Sequence, residues 1–120
     1  MTTKPADLRP WLGPAWDELN TDQLDRLCAE SDRITERHPD ADDAHLRDAA
    51  LSAAVQYVLG EVNVDDAGRD LAAAYRQLEL ARAASRQLAV MLYADTDNEQ
   101  GAARRTGINR MTLRGDLGKQ

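Results

Sequence analysis

The chain has 120 residues, which is the length of one compact domain of ordinary size. Acidic residues outnumber basic ones by 21 to 15, and the net charge of −6 argues against a protein whose whole surface coats nucleic acid or an anionic membrane. A single cysteine excludes an intramolecular disulfide and a zinc site built from several thiolates.

The apolar residues favour a core made of helices. They make up 42% of the sequence, but phenylalanine is absent, so leucine, valine and alanine must fill most of the core. No alternating pattern typical of a strand is longer than residues 62–64. We therefore predict an all-α fold.

The apolar pattern contains no candidate membrane or secretion segment. The longest apolar run, residues 88–94, is too short to cross a bilayer, and the first residues lack the apolar stretch of a secretion signal. Cys28 lies on an apolar helix stripe and is interpreted as a small core residue rather than a catalytic or redox thiol. We predict a cytoplasmic protein with no membrane partner.

Three of the four prolines fall in the first part of the chain, at Pro5, Pro10 and Pro14. Proline lacks an amide hydrogen and clashes with the preceding helical turn. Residues 1–20 are therefore predicted to form an extended or irregular lead.

Two amphipathic helices are predicted to follow. The first begins near Thr21, a residue type that caps helices, and ends before Pro39. Its apolar positions recur at spacings of three and four and are Leu24, Leu27, Cys28 and Ile34. The second ends at Gly60, which is expected to adopt the left-handed conformation that closes many helices. Its predicted packing face consists of Leu46, Ala49, Ala50, Ala53, Ala54, Tyr57 and Val58.

Acidic and histidine residues between these helices could be drawn as a metal site. The group comprises His38, Asp40, Asp42, Asp43 and His45. We favour an acidic turn in which Asp43 caps the second helix. The sequence also has no glycine-rich phosphate loop, nucleophile motif or paired-carboxylate motif. We therefore predict no metal, no cofactor and no enzymatic activity.

The third predicted helix, from about Ala67 to Tyr93, is the longest. One face carries a heptad-like stripe made of Leu71, Tyr75, Leu78, Arg82, Ser85, Leu88 and Leu92. Arg82 and Ser85 interrupt the stripe, so it is weaker than a dedicated coiled coil. It could form the centre of a bundle or one side of a homodimer. Residues 21–94 are accordingly assigned to an acidic helical region with a possible dimerisation role.

The net charge is unevenly distributed along the chain. Residues 101–120 contain five basic residues against one acidic residue, a balance of +5 − 1 = +4. The preceding hundred residues contain 10 basic and 20 acidic residues, a balance of −10. The acidic average therefore conceals one basic segment in a chain that otherwise repels a DNA backbone.

Residues 95–120 are predicted to form two short helices joined by a turn. Thr96 or Asp97 can cap the first helix, with Glu99 or Gln100 completing the capping arrangement. A residue that tolerates positive φ is needed where the first helix turns into the second.

Gly107 meets this requirement, and Ile108 is expected to be buried behind it. Asn109 can cap the second helix, in which Leu113 and Leu117 lie four residues apart on one face. The positions therefore predict both the turn and the inner face of the second helix.

Six of these positions share their spacing with a known DNA-binding module. They are Ala103, Gly107, Ile108, Thr112, Leu113 and Leu117. The stretch Gly-Ile-Asn-Arg-Met-Thr-Leu-Arg and the final Leu117-Gly118-Lys119 also match the module. The segment resembles the tri-helical helix-turn-helix of resolvases, invertases and many small bacterial regulators. Together with the stripe of the long third helix, this resemblance predicts a helical bundle whose third helix leads into a C-terminal helix-turn-helix.

The resemblance also implies which side chains contact DNA. In such modules the second helix enters the major groove and its first turns read bases. By position, the groove-facing residues are Asn109, Arg110, Met111 and Arg114. The residues that would reach phosphates are Arg104, Arg105, Thr112 and Lys119.

The segment departs from the family pattern at three places. Ala102 and Thr106 stand where larger aliphatic residues usually complete the small core, and Gly115 weakens its helix by about 1 kcal/mol relative to alanine. The end of the third helix is expected to supply the missing apolar surface. The residues in question are Leu88, Val90, Met91, Leu92 and Tyr93.

The leading hypothesis is a transcriptional regulator that binds specific duplex DNA sequences as a homodimer, with two half-sites about one helical turn apart. An alternative is an adaptor whose acidic helices bind a protein partner, with the C-terminal arginines serving solubility or docking. An architectural or DNA-partition protein is a further alternative and would use the same residues. Steep salt dependence is expected only where several phosphates are bound.

Overall fold

The computed structural model describes residues 2–119. They form six α-helices and no β-strand, which confirms the all-α prediction. The helices are α1 (Pro5–Leu12), α2 (Thr21–Arg37), α3 (Ala44–Val58), α4 (Val64–Thr96), α5 (Glu99–Thr106) and α6 (Arg110–Asp116). Two 3₁₀ helices lie at Gly13–Glu18 and Ala41–Asp43. The chain divides into two compact units after Val64, and α4 belongs almost entirely to the second unit.

The prediction of an extended or irregular lead over residues 1–20 is wrong for residues 5–18, which are helical, and residue 1 lies outside the described part of the chain. Pro5 is the first residue of α1, where its missing amide hydrogen has no helical partner to lose. Pro10 lies inside the same helix. Leu8 and Leu12, one turn apart, are both buried in the N-terminal core. Burial of this pair offsets the local cost of Pro10, which the proline pattern alone overstates.

The core of the N-terminal unit is built around α2. The four apolar positions predicted for this helix are all buried, and Leu27 is fully inaccessible. They pack with residues of α1 and α3 in one cluster. Asn20, rather than Thr21, caps α2. Its side-chain oxygen accepts from the Gln23 amide and its own amide donates to the Gln23 side chain, each at 2.8 Å.

Ala50, Ala54 and Val58 of the predicted α3 packing face do pack against the core, but the rest of the predicted face is displaced from the observed one. Leu51 and Val55 are the buried residues of this helix, whereas Leu46 and Tyr57 are 42% and 54% exposed. Alanines surround much of α3, so their spacing does not locate the packing face. The larger side chains of Leu51 and Val55 bury more apolar area. The prediction for Gly60 is confirmed, since its φ is +73°.

The second unit has a small core of its own. Ala89 of α4 and Leu113 of α6 are fully buried, and they pack with Ala102, Ala103 and Ile108. Val90, Leu92 and Tyr93 surround this core, as predicted for the end of the long helix. The same prediction is wrong for Leu88 and Met91, which are exposed. Ala89, which the prediction omits, is fully buried in this core.

The earlier half of α4 has an exposed apolar face, made of Leu71, Tyr75 and Leu78. We call these three residues the α4 apolar face. Their spacing of four and three residues places them on one side of the helix. Of the helices formed by residues 2–119, none combines the length and the apolar character needed to cross a lipid bilayer.

Replacing Leu27 with alanine tests the central packing position of the N-terminal unit. We expect Leu27→Ala to lower the free energy of unfolding by about 2–5 kcal/mol, because it leaves a cavity in the core. Tryptophan fluorescence during urea unfolding measures this, since both tryptophans lie in that unit. The matched control, Leu46→Ala on exposed α3 surface, should change stability little. Equal losses in the two variants would contradict the assigned core.

Candidate nucleic-acid interface

The end of α4 and the start of α5 are joined by a short turn with its own hydrogen bonds. Thr96 completes α4, and its hydroxyl donates to the Leu92 carbonyl at 2.7 Å. Asn98 caps α5, since its side-chain oxygen accepts from the Gly101 amide at 3.0 Å. The prediction of Thr96 or Asp97 as the cap is therefore wrong. A Cβ at Gly101 would lie 2.5 Å from the Asn98 side-chain nitrogen, so any residue other than glycine would displace the Asn98 cap.

The turn between α5 and α6 follows the sequence prediction. Gly107 has a φ of +72°, the left-handed conformation that glycine adopts at little cost. Ile108 is buried directly after it. Asn109 caps α6, with its side-chain oxygen accepting from the Met111 amide at 2.7 Å. Leu113 is fully buried and fixes α6 on the core.

The eight candidate DNA contacts differ in exposure. The exposed ones are Arg104, Arg105, Asn109, Arg110 and Met111, and the partly buried ones are Thr112, Arg114 and Lys119. Within residues 2–119, Arg104 and Arg105 make no side-chain hydrogen bond or ion pair. They therefore present their charges to solvent at the end of α5.

Three of the candidate contacts converge on one carboxylate. Arg110 Nε donates to Glu99 Oε1 at 3.0 Å. Arg114 Nη1 lies 2.9 Å from Glu99 Oε1 and 3.2 Å from Oε2, and Lys119 Nζ lies 3.3 Å from Oε2. Lys119 also donates to the Tyr93 hydroxyl at 2.6 Å. We call Glu99, Arg110, Arg114, Lys119 and Tyr93 the Glu99 cluster.

The Glu99 cluster holds opposite charges close together, which shifts the pKa values of Glu99 and Lys119. The side chain of Glu99 is only 12% exposed, so water screens its ion pairs less than it would at an open surface. The hydrogen bond from Arg110, followed by that from Arg114, lowers the pKa of Glu99 to about 2. The hydrogen bond between Lys119 and the Tyr93 hydroxyl, with Glu99 adding to it, raises the pKa of Lys119. Lys119 and Glu99 therefore each stabilise the charged form of the other.

A second ion pair connects the C-terminal end of α6 to α4. Arg86 of α4 donates from Nε and Nη2 to the two carboxylate oxygens of Asp116, at 2.9 and 2.5 Å. The Arg86 hydrogen bonds lower the pKa of Asp116. Bidentate pairing of this kind fixes orientation as well as distance. Helix α6 is thus held at its start by Glu99 and at its end by Arg86.

Sequence reasoning missed the roles of Glu99, Tyr93 and Asp116. Glu99 stands 11 and 15 residues from the two arginines it binds, and these separations cross a turn that has no helical period. The one available signal was an acidic residue immediately before a basic segment. In the part of the chain that the structure describes, no group of three or more metal-ligating side chains is placed to hold an ion.

The chain matches no family model, no curated protein and no solved structure. The distinguishing features of the second unit are the solvent-facing arginines at the end of α5, the exposed first turn of α6 and the Glu99 cluster.

The depressed pKa of Glu99 predicts how stability depends on pH. Because the folded-state pKa lies below the unfolded value, the carboxylate stabilises the fold above about pH 5, and this is lost as the pH falls towards about 2. The melting temperature of the wild type should therefore exceed that of Glu99→Gln at pH 7, and the difference should close towards pH 2. Circular dichroism at 222 nm measures both.

The control for this titration is Asp97→Asn, which neutralises a nearby exposed carboxylate outside the Glu99 cluster. Its melting temperature should run parallel to that of the wild type across the same range. A Glu99→Gln curve that also stays parallel to the wild type would contradict the ion pairs described here.

Proposed function

We propose that this protein is a cytoplasmic transcriptional regulator that binds specific duplex DNA sequences through α5 and α6. The observation that carries the proposal is the exposed first turn of α6, where Arg110 and Met111 project from a helix that Leu113 and Gly107 fix in place. Major-groove reading needs such a rigidly held helix with exposed long side chains at its start.

The charge distribution supports the same proposal. Arg104 and Arg105 end α5 close in sequence to the first turn of α6, so phosphate contacts and base contacts can come from adjacent elements. The first hundred residues carry the excess of acidic side chains. They repel the DNA backbone, which disfavours non-specific binding and orients the approach of the basic segment.

Within the proposal, the eight candidate contacts have unequal roles. Asn109, Arg110 and Met111 are assigned to bases, and Arg104, Arg105 and Thr112 to phosphates. Arg114 and Lys119 already bind Glu99, so their main contribution is to hold α6. A double replacement of Arg110 and Arg114 by alanine would therefore also remove hydrogen bonds that hold α6, so Arg110 has to be tested alone.

Salt dependence tests the assignment of Arg104 and Arg105. Each phosphate contact adds about 0.9 to the slope of log affinity against log salt concentration. Replacing both arginines with alanine should therefore reduce the slope by about 2, measured by fluorescence anisotropy with a mixed-sequence duplex. Replacing Arg76 and Arg82, two exposed arginines of α4, with alanine is the charge-matched control and should leave the slope unchanged. Identical slopes for all three proteins would contradict the phosphate contacts.

The proposal includes a homodimer that forms through the α4 apolar face. One recognition helix buries too little surface for useful specificity, so regulators with such helices commonly bind two half-sites as dimers. Leu71, Tyr75 and Leu78 are 58%, 60% and 53% exposed. They lie on one side of the helix with a coiled-coil spacing, which suits pairing with the same face of a second copy.

A pair of leucine variants tests this dimer. Leu78 belongs to the α4 apolar face, whereas Leu80 is also exposed but points about 200° away around the helix at 100° per residue. Sedimentation equilibrium should show a dimer for the wild type and for Leu80→Lys. Leu78→Lys should sediment as a monomer with unchanged circular dichroism. Equal association of the two variants would contradict pairing through this face.

A further inference from the structure

The geometry points to Glu99 as a positioning residue that aims Arg110 at a guanine base. This inference rests on the proposed function and deepens it by naming what the site reads. Arg110 binds Glu99 through Nε alone, at 3.0 Å. Its terminal nitrogens make no hydrogen bond to any residue between 2 and 119, and 56% of its side chain is exposed.

A guanidinium group is planar and offers donors along two usable edges. The edge containing Nε is used by Glu99, which leaves the edge formed by Nη1 and Nη2 without a hydrogen bond to residues 2–119 on a side chain that is mostly exposed. Two parallel donors of this kind match the O6 and N7 acceptors that guanine presents in the major groove. The held arginine therefore carries the shape that bidentate guanine recognition requires.

Glu99 is itself held too firmly to leave with Arg110. Arg114 binds both of its oxygens and Lys119 binds one of them. Three basic side chains meet one carboxylate, so the group keeps an excess of positive charge, 3 − 1 = +2, despite the ion pairs. Glu99 thus fixes the direction of Arg110 without cancelling the attraction of the site for DNA.

This arrangement separates two arginines that the sequence treats alike. Arg114 is 29% exposed and spans both oxygens of Glu99, so it acts as a fixed support. Arg110 uses one donor for support and keeps two for a ligand. A side chain held before binding loses less conformational freedom on contact, and one held in a single direction favours a single base.

The experiment compares affinities for two probes. The first is the duplex that the wild type enriches from a random pool, together with its versions in which each G·C pair is replaced by A·T. The second is a mixed-sequence duplex. For the wild type, one G·C pair in each half-site should carry the Arg110 contact. Arg110→Lys keeps the positive charge but lacks the two parallel donors of a guanidinium group. It should reduce the preference for G·C at that pair about 5- to 150-fold.

Glu99→Gln should reduce the preference at the same base pair about three- to tenfold, since Arg110 remains but is no longer held. Its affinity for the mixed-sequence duplex should stay equal to that of the wild type or rise, because a negative charge is lost. Asp97→Asn removes one negative charge two residues away and should leave the G·C preference intact.

Several outcomes would overturn the inference. An unchanged G·C preference in Glu99→Gln, or an equal fall in Asp97→Asn, would show that Glu99 does not position Arg110. Parallel loss of affinity for both probes in Glu99→Gln would show a purely structural role. A wild type that enriches no sequence would overturn the proposed function, and this inference with it. Full enrichment with an unaffected Glu99→Gln preference would overturn this inference alone.

Discussion

The carboxylate of Glu99 joins parts of the second unit that share only a small apolar core. Three of the five buried residues of that core are alanines, namely Ala89, Ala102 and Ala103. Apolar burial contributes about 25 cal/mol per Å², so a core of this size stabilises α6 only modestly. The hydrogen bonds from α6 to a carboxylate that is 12% exposed therefore matter more here than ion pairs usually do at a surface. The same contacts that hold the helix also fix the direction of Arg110.

The positive charge that faces solvent is smaller than the sequence count suggests. Residues 95–119 contain five basic and four acidic residues, and the excess of +4 appears only when the count begins at residue 101. Glu99 binds three of the basic side chains, which leaves Arg104 and Arg105 unpaired among residues 2–119. A modest, directed charge suits a protein that reads bases at defined positions, whereas a broad basic surface would bind any sequence.

Local signals in the sequence predict most of the helices and turns. Contacts between residues on opposite sides of a turn have no such local signal and could not be predicted. Spacing identified the buried side of α2, and single residues identified the conformations of Gly60 and Gly107. The lead was mispredicted because the burial of Leu8 and Leu12 outweighs the cost of Pro10. On α3, alanines on several sides removed the contrast that reveals a packing face. The Glu99 cluster depends on how α5 turns into α6, which no periodicity encodes.

The central claim is that the intact chain recognises particular duplex sequences. Selection of bound duplexes from a random pool at physiological salt tests this claim most directly. The account predicts enrichment of a two-fold related motif with half-site centres 10–10.5 base pairs apart, about one helical turn, and with a G·C pair at matching places in both halves. Recovery of a pool as diverse as the starting one, after repeated rounds with the wild type, would contradict it.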